Sequence, residues 1–321
     1  MNNHVTVCSL LFALTSIFAL GLNAQQNAFR VKDIMPEYRV LVQQAAEDKY
    51  VTPKFQKLLT GFDAEFYKEV VGVDLSDTAQ LTQHLKSMAG LNKQLEYVTR
   101  HFKDHFLESV NRIATFYPEI RKQQHTVYIA PTFKRTNGQF RYWRGRWMLY
   151  FGPDAQAADP GYKDLNALII HELIHLVHSK SNDSISGLIG RFYEDPFNVK
   201  LPFFYHLYVE GLAVYLTMQL DKRISLKAAL MQPDLNVKVD EQLKIHLKKI
   251  SDLLPSTSLQ DVQNYFWLNG TDPNVPHKTG YYIGYLLVKN MTERIPRRKL
   301  LNLYGPELEK ELKISLNQLS K

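Results

Sequence analysis

The chain of 321 residues contains a single cysteine, Cys8, and it sits inside an apolar N-terminal segment. Once that segment is removed no disulfide can form, so the remainder must fold on its core alone or with a bound metal. Internal repeats and low-complexity tracts are also lacking, which argues against stacked-repeat architectures. With 45% hydrophobic and only 22% charged residues, the composition excludes wholesale disorder.

The apolar segment itself lacks Lys and Arg. Val5 to Leu20 is broken only by Thr6, Ser9, Thr15 and Ser16 and gives way to Gly21-Leu22-Asn23-Ala24. This reads as a secretory signal over residues 1–24, cut after Ala24 and before Gln25. A retained anchor is the competing reading, but the apolar run is short for a span of roughly 20 residues. With the signal cleaved, no stable membrane span is expected. Cys8 lies too early for a lipoprotein cleavage site.

The net charge is +7, none of it from the signal. The run Arg141-Tyr142-Trp143-Arg144-Gly145-Arg146-Trp147 is cationic and aromatic, the composition of a nucleic-acid patch. Export argues against such a partner. A strand pair with alternating charges, or a surface facing an anionic envelope, explains the run without nucleic acid.

Residues 25–122 read as an N-terminal helical region. Phe55, Leu58, Leu59, Phe62, Phe66 and Val70 recur at spacings of three and four, as do Leu91, Leu95 and Val98 and then Phe102, Phe106 and Val110. The character changes at residue 123, where a second domain over 123–321 is expected. Thr126 to Ile129 is a short β-prone run, and Phe140–Trp143 and Trp147–Phe151 form two strands joined around Gly145. Helices follow over 164–178, 203–220, 237–253, 279–293 and 306–319, with a loop and a short helix across 179–202. The fold class is α+β, mostly helical with a small mixed sheet.

The most informative stretch is His171-Glu172-Leu173-Ile174-His175. Histidines four apart on a helix project from one face, one turn apart, as two nitrogens must to reach a single Zn²⁺. Glu172, rotated by roughly 100° from His171, is placed to act as general base towards an activated water. Leu168, Ile169, Ile170, Leu173, Ile174 and Leu176 bury the helix, and three polar ionisable groups in such a helix need a reason to be there. Chance occurrence on a buried helix is the bland alternative.

A catalytic zinc takes a third protein ligand and keeps one position open. A third histidine in the extended motif is excluded, because His178 and Ser181 stand where Gly and His are needed. Gly270-Thr271-Asp272 hints at an aspartate, but Pro273 spoils the pattern. Two glutamates compete. Glu210, in Tyr208-Val209-Glu210-Gly211-Leu212-Ala213-Val214-Tyr215-Leu216, sits in a credible buried helix, and Gly211 allows the metal helix to approach. Glu194 is followed by Asp195-Pro196, which ends a helix. Glu210 is favoured and Glu194 kept as the alternative. His178 is expected in a supporting or surface position.

The His171–His175 segment, the Glu210–Leu216 block and Pro276-His277-Lys278-Thr279-Gly280-Tyr281-Tyr282-Ile283-Gly284-Tyr285-Leu286-Leu287-Val288 together resemble a group of bacterial predicted zinc-dependent proteases of the gluzincin type. The resemblance spans about residues 125–295. It implies a thermolysin-like core, zinc held by His171, His175 and Glu210, and a peptide or protein substrate; the secretory signal gives the expected location as periplasmic or secreted. It also implies that the strand before the metal helix, Trp147 to Phe151, offers a free edge to an extended peptide. Tyr281 or Tyr285 could supply a hydroxyl to the oxyanion, Tyr281 first and His277 as a weaker substitute. Alternatively both tyrosines pack between helices over Gly280 and Gly284. Rival readings are a catalytically silent envelope-assembly protein on a protease scaffold, and a zinc hydrolase of a non-peptide amide or ester.

Overall fold

The structure is a computed structural model describing residues 28–45, 50–122, 124–181, 187–188, 190–192, 199–232, 234–267 and 270–321. The expected signal over 1–24 and the alternative ligand Glu194 lie outside them. The chain begins with β1 (Phe29–Asp33), then α1 (Met35–Gln44), α2 (Val51–Glu65), a π-helical turn (Phe66–Val71), α3 (Thr78–Ala89) and α4 (Asn92–Phe116). Next come β2 (His125–Ile129), β3 (Gly138–Trp143), β4 (Arg146–Phe151), α5 (Pro153–Ala158) and α6 (Leu165–Ser181). The C-terminal part holds α7 (Phe203–Leu220), α8 (Leu226–Leu230), α9 (Leu235–Asp240), α10 (Leu243–Leu253), α11 (Leu259–Phe266), α12 (Thr279–Met291), α13 (Arg297–Leu300) and α14 (Gly305–Leu319). The result is a mostly helical α+β fold. No helix among the described residues is long and apolar enough to cross a membrane.

The sheet has the order β1-β2-β4-β3, parallel at β1–β2 and β2–β4 and antiparallel at β4–β3. Two expectations change here. The N-terminal region is not wholly helical, because β1 completes the sheet through the register Phe29↔His125 to Asp33↔Ile129. And β4 has no free edge: it is paired on both sides, and the hairpin's edge strand is β3, with β1 at the sheet's other edge. The β3–β4 hairpin turns on Arg144 (φ 51°) and Gly145 (φ 75°), two left-handed residues in the pattern that matches a two-residue hairpin to strand twist.

This hairpin also uses its charges internally. Arg144 pairs with Glu65 and with Glu69, 2.9 Å away, and Trp143 Nε1 donates to Glu69 Oε2 at 2.9 Å. The cationic, aromatic run is thereby fastened to the π-helical turn of the N-terminal region.

Helix α4 buries Leu95, Val98, Phe102, Phe106, Val110 and Ile113, the stripe its spacing predicts, and packs against α6. Each such side chain contributes about 1.5–3 kcal/mol of burial. One continuous core runs from Ala28 to Leu316 and crosses the boundary expected at 122/123. Helix α6 lies within it, buried on every face from Ala167 to Ser179.

Helices α7 and α12 cross almost backbone to backbone. A Cβ on Gly211 would collide with the carbonyl of Gly284, and one on Gly284 with the carbonyl of Leu207. Gly211 therefore admits α12, not the metal helix as the sequence suggests. Gly280 lies under the ring of Phe266.

Candidate metal centre

Helix α6 presents His171 and His175 one turn apart, and α7 brings Glu210 against them. His175 Nε2 lies 3.1 Å from His171 Nε2, and Glu210 Oε2 lies 3.2 Å from His171 Nε2 and 3.5 Å from His175 Nε2. A tetrahedral ion with bonds of about 2.0–2.1 Å sets its ligand atoms about 3.3 Å apart. The triangle has that size. Two imidazole nitrogens and a carboxylate oxygen this close need a shared cation or proton between them, since bare lone pairs repel. Two histidines and a carboxylate with ligand atoms this close could hold a metal ion.

Electrostatics agree. Burial alone pushes Glu210 up, but His175 and His171 hold its carboxyl well below the ordinary range. Burial pushes His175 down, and the charges of Glu210 and Glu172 outweigh it, so its pKa rises. The triad thus favours positive charge within it. His171 Nδ1 is buried with no hydrogen-bond partner among the described residues. Its ring is steadied instead by Tyr281, stacked at 5.9 Å with planes 15° apart.

Glu172 stands outside the cluster of possible metal ligands and lies against β3 at Gly138. Gly152 N–H donates to the carbonyl of Asn137 at 2.9 Å. Antiparallel alternation then turns the main-chain groups of Gly138, Phe140 and Tyr142 away from β4. The Phe140 N–H is directed to the Glu172 carboxylate. Burial raises the pKa of Glu172 above the usual range, against the pull of His175 and His171 and the Phe140 N–H. Gly138 gives it room: a Cβ there would sit 3.2 Å from Glu172 Cγ and 3.0 Å from Leu168 Cδ1.

These groups line one cleft of about 540 Å³. His171, Glu172, His175, Glu210 and Tyr281 face it, with the β3 rim from Lys134 to Arg141 opposite. Tyr285 does not reach it. It packs one turn further along α12, its ring 6.2 Å from Tyr282 and 6.5 Å from Tyr215, which is the interhelical role weighed for both tyrosines. His277 does not line the cleft either. His178 is buried beside Tyr208 at 5.6 Å, and burial brings its pKa down to about 3, so it stays neutral and away from the surface.

Sequence reasoning missed three features of the cleft. Lys278 lines it, its Nζ 5.5 Å from the Tyr281 ring centre. His206, one turn before Glu210, also lines it and is held neutral by burial, at about 4. The third is the rim, pinned by buried Asp154, whose carboxylate accepts from the N–H groups of Thr132 and Lys134 at 2.8 and 2.9 Å. The four-residue spacing of His206 and Glu210 was visible as one helical turn; the Asp154 contacts carried no local signal. No family model, curated protein or solved structure matches the chain.

Proposed function

We propose that this chain is an exported zinc-dependent metallopeptidase with a gluzincin-like core, acting in the bacterial periplasm or outside the cell. The observation that carries the reading is the His171–His175–Glu210 triangle, with atoms 3.1–3.5 Å apart, opening on a cleft beside an edge strand. His171, His175 and Glu210 would hold the ion. When bound, zinc supplies Lewis acidity, polarising an amide carbonyl and bringing the pKa of a water towards about 7.

The chain's own residues supply the rest. The outward main-chain groups of β3 pair with an extended peptide and fix its register across the cleft. Glu172 accepts a proton at its carboxylate from the attacking water and returns it to the leaving amine. The Phe140 N–H favours the charged form of that carboxylate. Tyr281, whose ring stacks on His171, donates its hydroxyl to the carbonyl oxygen as negative charge develops.

The test is Glu172→Gln. Purified wild type should carry one zinc per chain and cleave members of a diverse peptide library. The variant should keep its zinc and lose roughly 10²–10⁴-fold in turnover. Turnover equal to wild type would remove Glu172 as base. Tight zinc with no cleavage of any peptide would favour the assembly-protein reading.

A further inference from the structure

We propose that Lys278 selects a carboxylate on the substrate, so that the cleft prefers acidic peptides; this deepens the peptidase reading and rests on it. Lys278 is an unusual place for a cation. It is the N-cap of α12, in the left-handed region at φ 64°, with no side-chain capping bond and no acidic residue in the helix's first turn. Holding a residue other than glycine there strains the backbone, and such strain persists only where the surroundings enforce it. A lysine at a helix N-terminus also faces the positive end of the helix dipole, where an anion is favoured. A lysine serving only the fold has little cause to occupy such a position.

Its surroundings point to an incoming anion. Lys278 lines the same cleft as the triad, its head beside the Tyr281 ring that stacks on His171. No ion pair of Lys278 occurs among the described residues. Burial lowers its pKa, and Glu210, Asp159 and Glu172 act on it from a distance without replacing a bonded partner. The guanidiniums across the cleft are already engaged: Arg135 donates to the carbonyls of Val71 and Gly72 at 2.7 and 2.6 Å, and Arg141 reaches that of Val70 at 3.4 Å. They add positive potential, as does Lys134 on the exposed rim; Lys278 is the half-buried cation on the triad's side of the cleft, beside Tyr281. Tyr281 serves the carbonyl under attack, and Lys278 takes a carboxylate on the residues flanking it. That carboxylate belongs either to an Asp or Glu side chain or to a free C-terminus.

Binding of labelled peptides to zinc-loaded Glu172→Gln protein, read by fluorescence anisotropy, tests this without turnover. One peptide series carries Asp or Glu against Asn or Gln, and the other a free against an amidated C-terminus. At least one carboxylate should bind about tenfold tighter than its neutral counterpart, and the series that responds names its source. Adding Lys278→Met should abolish the preference while leaving neutral peptides, zinc content and circular dichroism unchanged; Lys278→Arg should retain it. Absence of any carboxylate preference, or an equal loss on acidic and neutral peptides in Lys278→Met, overturns the proposal. If wild type cleaves nothing while the Lys278-dependent preference persists, the peptidase reading falls and the anion site stands. Cleavage with no such preference sinks the anion site alone.

Discussion

Helices α6 and α7 hold the triad by surrounding it with apolar side chains, whereas the facing rim, from Lys134 along β3, is half-exposed and works through main-chain groups. The first wall is rigid because its helices cannot shift without opening voids in close-packed surroundings. The second is held by a few polar contacts: Asp154 under the Thr132–Lys134 turn, Arg135 on Val71 and Gly72, and the hairpin's ties to Glu65 and Glu69. Phe133 and Lys134 are consecutive left-handed residues at φ 58° and 61°, a conformation that persists only when its surroundings enforce it. On the proposed function, ion binding falls to one wall and substrate placement to the other, so the two should fail separately.

The largest effect should come from the first wall. Gly211→Ala forces α7 from α12 and should cost about 3 kcal/mol or more; a lowered midpoint in thermal melts of zinc-free protein, with weakened zinc affinity, is the expected result. An unchanged melt would mean that the glycine crossing is not a tight contact. Asp154→Asn attacks the second wall. Weakening a fully buried carboxylate that accepts two main-chain N–H groups should cost on the order of 2 kcal/mol and raise KM for peptides while zinc affinity stays put. If zinc affinity fell in step with peptide binding, the walls would not be independent. The smallest effect is expected at their seam. Gly138→Ala brings a methyl to 3.0–3.2 Å from Leu168 and Glu172, and kcat should drop a few-fold with zinc content and stability little changed.

The first wall was also the part legible in the sequence. Helix α7 occupies the expected 203–220, α6 runs 165–181 against an expected 164–178, and the His171–His175 spacing is a local signal that needs only a helix to be read. Glu210 followed from its buried helix, although nothing local stated that this helix faces α6. The second wall was harder. Both strands of the hairpin were visible, but which one keeps a free edge depends on β2, which pairs with β4 from outside the hairpin. β1 was missed because Phe29–Asp33 buries only Phe29, leaving no alternation to detect. Tyr281 and Tyr285 are equivalent in the sequence block and differ only in what stands opposite each: His171 for one, Tyr215 for the other. Lys278 stood inside the same block, and its left-handed backbone has no sequence mark.

The position of β1 in the sheet has a kinetic consequence. Its partner strand enters the chain late, since Phe29 pairs with His125, 96 positions on (125 − 29). Parallel pairing over that distance must wait for the whole intervening helical stretch, and loop closure opposes it until flanking contacts form. The first strand to emerge is thus among the last to be seated. Until then β2 keeps an open edge to which another chain could add, so a folding helper or a rapid closing step has its greatest value in that interval.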